Sequence, residues 1–151
     1  MRIVAPADVK SLVGEEVGVS EWVLIDQDLI TRFADVTDDR QFIHVNPEAA
    51  KAPPFGGTVA HGFLTLSMLS KLAVGSVIVL DGIKMAVNYG FDKVRFLAPV
   101  RSGRRIRGRF TLMKADERVP GQWRFTYAVR VEVEDEERPA LLAEWITAQM
   151  V

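Results

Sequence analysis

Between Thr58 and Leu80 the chain carries a single charged side chain, Lys71. A stretch so poor in charge has to be buried, in a bilayer or inside a soluble fold. Gly62, Thr65, Ser67, Ser70, Gly75 and Ser76 dilute its hydropathy, and Lys71 falls near its middle, so a membrane span is not expected. The expected solution is an interior helix from about Thr58 to Val74, apolar nearly all round. Its Ala, Gly, Ser and Thr residues recur at intervals that let strands approach closely.

The second half supplies the cover. Ile106, Gly108, Phe110 and Leu112 alternate with Arg105, Arg107, Arg109 and Thr111. Tyr127, Val129, Val131 and Val133 alternate in the same way with Ala128, Arg130, Glu132 and Glu134. A period of two with one apolar face predicts half-buried strands. Residues 86–97 and 141–150 are predicted as further strands, with turns at 119–122 and 135–139. An antiparallel sheet curled around one long helix is the compact arrangement, an α+β fold in a single domain over residues 1–151.

The first half is mixed. Residues 1–17 are expected to pack loosely on the surface, and Val19–Ile25 reads as one short strand. Asp26 is suited to cap a helix whose apolar face is Leu29, Ile30, Phe33 and Ala34. That pattern stops at Thr37–Asp38–Asp39–Arg40, a polar cluster typical of a loop. After His44, Asn46–Pro47–Glu48 predicts the start of a short helix, ended by Pro53, Pro54, Gly56 and Gly57.

Composition excludes several functions. A net charge of −1 and a pI near 6.1 give no drive toward nucleic acid or an anionic membrane. The chain has no cysteine, which rules out disulfides and thiolate metal sites, and its two histidines leave little material for a metal centre. The N-terminus lacks the apolar core of a signal peptide, so a cytoplasmic location is expected by default.

Two stretches carry candidate chemistry. Asp39 and His44 stand 5 residues apart in the loop that follows the first helix. Hydration of a conjugated thioester needs a base for water and an acid for the α carbon, tasks that a carboxylate and an imidazole can divide. The same spacing equally fits a loop acid and a partly buried structural histidine. In Gly56–Gly62, a helix beginning near Thr58–His61 leaves first-turn N–H groups without partners. At Gly62 these could meet a thioester carbonyl, although a glycine there also suits close helix–sheet packing. His61 is a rival catalyst with no carboxylate beside it in sequence, and a structural role is expected. Thr58, His61 and Asn88 are candidate pocket residues, and one or two of Arg101, Arg104, Arg105, Arg107 and Arg109 could meet a coenzyme A phosphate.

Residues 33–44, Phe-Ala-Asp-Val-Thr-Asp-Asp-Arg-Gln-Phe-Ile-His, and 57–64, Gly-Thr-Val-Ala-His-Gly-Phe-Leu, resemble the MaoC-type (R)-specific enoyl-CoA hydratases. Within that family they look like the branch of nodulation protein N-like dehydratases, as do Asn88–Tyr89–Gly90 and Lys93–Val100. The likeness covers about residues 20–105. In the family the motif runs Gly-Asp-x-Asn-Pro-aliphatic-His. Its Asp falls on Asp39, its His on His44, and the oxyanion-binding glycine on Gly62. Asp38, Gln41 and Phe42 depart from it, standing for Gly, Asn and Pro.

The resemblance implies a hot-dog fold, a homodimer with its pocket near the subunit interface, and reversible hydration of 2-enoyl thioesters to (3R)-hydroxyacyl thioesters. The substrate carrier would be coenzyme A or acyl carrier protein, and no metal or other cofactor would be needed. A hot-dog thioesterase and a non-catalytic acyl-thioester-binding subunit are the alternatives. Acyl chain length is not set by any residue of the sequence.

Overall fold

The computed structural model describes residues 2–151. Its main element is a 6-stranded antiparallel sheet. The strands are β2 (Glu16–Val19), β3 (Val23–Ile25), β5 (Met85–Phe96), β6 (Arg104–Val119), β7 (Gln122–Val133) and β8 (Leu141–Met150). Their order is β2-β6-β7-β8-β5, with β3 also on β6. A parallel pair, β1 (Arg2–Val4) with β4 (Ile78–Leu80), stands apart from it. The helices are α1 (Gln27–Thr37), α2 (Phe42–Val45), α3 (Gly62–Ser67) and α4 (Leu69–Leu72).

The strand periodicities hold. Ile106, Phe110, Leu112, Tyr127, Val129, Val131 and Val133 are all buried, and Phe110 pairs with Val129 across the β6–β7 ladder. The arginines opposite them form ion pairs instead of an open basic face. Arg105 pairs with Glu134, Arg107 with Glu132, and Arg109 with both Glu132 and Glu16. Leu64, Leu69 and Leu72 press the helix onto the sheet. Gly108 permits the approach, because a Cβ there would lie 3.3 Å from the Leu72 Cβ.

Four expectations need correction. The central helix starts at Gly62 and not near Thr58, since the β-branched Thr58–Val59 stay extended. Their backbone pairs elsewhere: the Val59 N–H donates to the Ile43 carbonyl, Ala60 to Val100, and Ser102 to Thr58. The helix is also loosened at Met68 and is not apolar all round, for Phe63, Ser67, Ser70, Lys71 and Val74 are exposed.

Next, the stretch expected as one strand at Val19–Ile25 falls into two strands on β6, β2 and β3. Ser20 replaces one ladder pair, its hydroxyl accepting from the Gly108 N–H at 2.9 Å. Third, residues 1–17 are not loose: β1 joins β4, and Val9 and Leu12 are buried. Last, the short helix predicted at Asn46 is instead one turn before it, α2, and a 3-10 turn after it, Ala49–Lys51. The Asn46 side chain accepts from the Ala49 N–H at 3.1 Å.

Gln149 is a buried tie that periodicity could not reveal. Its amide accepts from the Leu80 N–H at 2.9 Å and donates to the Ile78 carbonyl at 2.8 Å, docking β4 against β8. No helix among the described residues is long and apolar enough to cross a membrane.

Candidate active site

α1 delivers the first component. Asp26 caps it, accepting from the Leu29 N–H at 2.8 Å, and Ile30 and Ala34 bury its apolar face. The helix ends in a left-handed residue, Asp38, with φ 59° and ψ 17°. An αL residue turns the chain out of the helix axis and is why glycine suits this place in the related motif. Asp39 follows at the surface. Its neighbour Arg40 pairs with Asp35 at 2.8 Å and more loosely with Asp38 at 3.8 Å, leaving Asp39 without a cationic partner among the described residues.

α2 carries His44 inward, where it is 7% exposed. Its Nδ1–H donates to the Val59 carbonyl at 2.6 Å. A carbonyl only accepts, so Nδ1 carries a proton, and in the neutral ring Nε2 is the free acceptor. His61 is buried as well, and its Nε2–H donates to the backbone carbonyl of Asp39 at 2.9 Å. The two imidazoles stack with centroids 3.8 Å apart and planes inclined by 25°. Phe33 of α1 closes on His61, with ring centroids 5.1 Å apart.

Side-chain ligand atoms of Asp39, His44 and His61 lie within 4.8 Å of one another. The spacing alone suits a metal, but the ring geometry does not. Lone pairs lie in the imidazole planes, and in stacked rings they run side by side instead of converging on one ion. Asp39 and His44 are better suited to moving protons.

Gly62 opens α3 directly after His61, and among the described residues its N–H has no protein acceptor. It borders a cavity of ≈ 230 Å³ lined also by Ala60, Thr65, residues 96–100 and Ala140. The acid and both imidazoles are therefore brought together from separate segments, and Gly62 follows His61 directly in the chain.

Other sequence candidates lie elsewhere. The Thr58 hydroxyl is buried and donates to the side-chain oxygen of Gln27. Asn88, on β5, lines two cavities farther along the helix, of ≈ 290 and ≈ 340 Å³, together with Ser70 and Trp145. Among the arginines at 101–109, only Arg101 and Arg104 lack a carboxylate partner within the described residues, and Arg101 bridges Val59 at the site's edge. Sequence reasoning missed Gln27, whose amide also donates to the His44 carbonyl at 2.8 Å. Its signal was only a polar residue at the start of an amphipathic helix, a place where glutamine is commonplace.

Comparison with known proteins finds similarity over most of the chain. A family model described as "MaoC like domain" matches residues 8–135. Nodulation protein N of Rhizobium leguminosarum bv. viciae is 51% identical over 148 residues, 97% of this chain and 92% of that protein. The 3-hydroxyacyl-thioester dehydratase Z of Mycobacterium tuberculosis is 46% identical over 140 residues, covering 93% and 92%. Two solved structures have the same fold. A MaoC-like dehydratase from Rhodospirillum rubrum superposes with a TM-score of 0.75 at 21% identity, covering 91% of this chain and 92% of that one. An (R)-hydratase from A. caviae involved in PHA biosynthesis gives 0.70 at 20% identity, covering 87% and 95%.

Proposed function

From the premise that this chain belongs to the MaoC-like dehydratase family and has its hot-dog fold, we propose that it is a hydro-lyase. It interconverts trans-2-enoyl and (3R)-hydroxyacyl thioesters by adding or removing water. The observation that carries this reading is the meeting of Asp39 and His44 within 4.8 Å, with Gly62 and its free N–H one residue beyond the His61 that stacks on His44.

Asp39 and His44 hold one water between them. In hydration, the lone pair on His44 Nε2 or the Asp39 carboxylate takes a proton as the water oxygen bonds to the β carbon. The double-bond electrons move toward the thioester, and the Gly62 N–H stabilises the charge growing on its oxygen. A proton then returns to the α carbon, and dehydration runs the same path backward. No electron is transferred, so the reading includes no redox cofactor, and it includes no metal.

The acyl chain is assigned to the uncovered face of the central helix. From Gly62 that face runs past Leu66 to Ser70 and Val74, along the two cavities shared with Asn88 and Trp145. At a rise of about 1.5 Å per residue this path is roughly 18 Å long, enough for an extended chain. Arg101 and Arg104 are assigned to a carrier phosphate. A second copy of the chain completes the assembly at β5, an edge strand with Met85, Val87, Tyr89 and Phe91 exposed.

The test is absorbance of enoyl-CoA substrates. Asp39→Asn and His44→Ala are expected to lower turnover by about 100-fold or more while remaining folded. Near-parental rates in both would refute the assignment. Release of free thiol without hydration would point to a thioesterase instead.

A further inference from the structure

The loop holding Asp39 and His44 has little means of holding itself. α2 is 4 residues long, far below the length at which a helix is stable alone. Its N-cap, Gln41, makes no side-chain cap, and the entry residue Asp38 is left-handed. Yet the backbone carbonyl of each reactive residue is tied by a side chain from outside the loop. The Asp39 carbonyl accepts from His61 Nε2–H at 2.9 Å, and the His44 carbonyl accepts from the Gln27 amide at 2.8 Å.

Gln27 is itself pinned on both sides of its amide. Its nitrogen also reaches the Thr31 hydroxyl at 3.3 Å, and its oxygen accepts from the buried Thr58 hydroxyl. Thr58 precedes Val59, whose carbonyl holds the His44 ring and whose N–H bonds to Ile43. The first turn of α1, the catalytic turn and the strand leading to Gly62 are thereby closed into one ring of hydrogen bonds. His61 closes a second ring through Asp39.

We propose that Gln27, with Thr58, and His61 are positioning residues that fix the separation of Asp39 and His44. This rests on the hydratase reading above. In this reading none of the three touches a reacting atom. His61 spends its one proton on a backbone carbonyl, and its other nitrogen is buried without a hydrogen-bond partner. A loss of about 1 Å in such a placement is enough to slow catalysis by up to ~100-fold.

The experiment compares variants that remove each hydrogen bond with variants that keep it, measuring kcat and KM separately on an enoyl-CoA. Gln27→Met, Thr58→Val and His61→Met remove the bond at nearly constant volume. Thr58→Ser keeps the hydroxyl, and His61→Gln keeps an N–H close to the place of Nε2. The removing variants are expected to lower kcat by about tenfold or more with KM within about threefold, and the retaining ones to stay near the parent.

Removing variants that fold and keep kcat within about twofold would overturn the proposal, as would a defect carried by KM alone. His61→Gln as impaired as His61→Met would also overturn it for His61, making the imidazole itself essential. If Gln27→Met does not fold, the isosteric Thr58→Val and Thr58→Ser pair decides the Gln27 arm. Asp39→Asn and His44→Ala serve as controls. Activity in those two sinks the site reading, whereas their inactivity beside unimpaired Gln27 and His61 variants sinks only the brace.

Discussion

Gly62 shows how little room a reactive backbone leaves for a side chain. A Cβ at this position would come 3.1 Å from the Phe96 ring, which is half exposed and free to give way. Gly62→Ala is therefore expected to unfold near the parent's midpoint while turnover falls, since the methyl crowds the approach to the N–H. Unchanged kinetics would mean that the glycine serves packing alone. Asp38 makes a similar point about conformation. With φ at 59°, Asp38→Ala should cost about 1 kcal/mol in a denaturation curve and Asp38→Gly should not. Glu132 shows the electrostatic side. Burial pushes its carboxyl upward, but hydrogen bonds and charge from Arg107 and Arg109 outweigh that and hold it below the ordinary 4.5. A carboxylate lowered in the folded state stabilises the protein above its unfolded pKa, and that contribution is lost as pH falls through the folded value. Glu132→Gln should thus lower the melting temperature at neutral pH, and the gap should close as pH falls below 4.5. A gap that persists at low pH would rule out the ion pairs as its cause.

The elements were readable where their cause is local. Asp26 caps α1 and β6 and β7 run where alternation places them, because neighbouring residues suffice to set a cap and a period of two. The central helix was misread at its start because Thr58–Ala60 satisfies its backbone with Ile43, Val100 and Ser102, partners distant in sequence. The split between β2 and β3 has the same origin, in a serine that takes over a ladder bond from Gly108. Gly18 marks another long-range contact, since a Cβ there would run into the Ser76 carbonyl oxygen. Backbone cannot yield as a flexible side chain can, so Gly18→Ala should cost about 1–3 kcal/mol by overpacking. An unchanged denaturation midpoint would show that β2 moves freely.

At the scale of the molecule, the sheet ends in β5, whose outer edge is unpaired among the described residues and whose apolar side chains face solvent. Such an edge invites a second strand. Tyr89→Lys with Val87→Lys should shift the protein from dimer to monomer in light scattering, and a monomeric parent would refute the proposed assembly. What the sequence determined unaided was the strand faces and the first helix with its cap, because short-range periodicity and residue chemistry encode these. Only the tertiary structure decided that His61 stacks on His44 and holds Asp39, and that Gln27 reaches the far end of the same loop. It also decided that the basic run would be neutralised by Glu16, Glu132 and Glu134. Each of those contacts joins residues from separate segments, and their meeting is set by how the sheet closes over the helix, which no local pattern records.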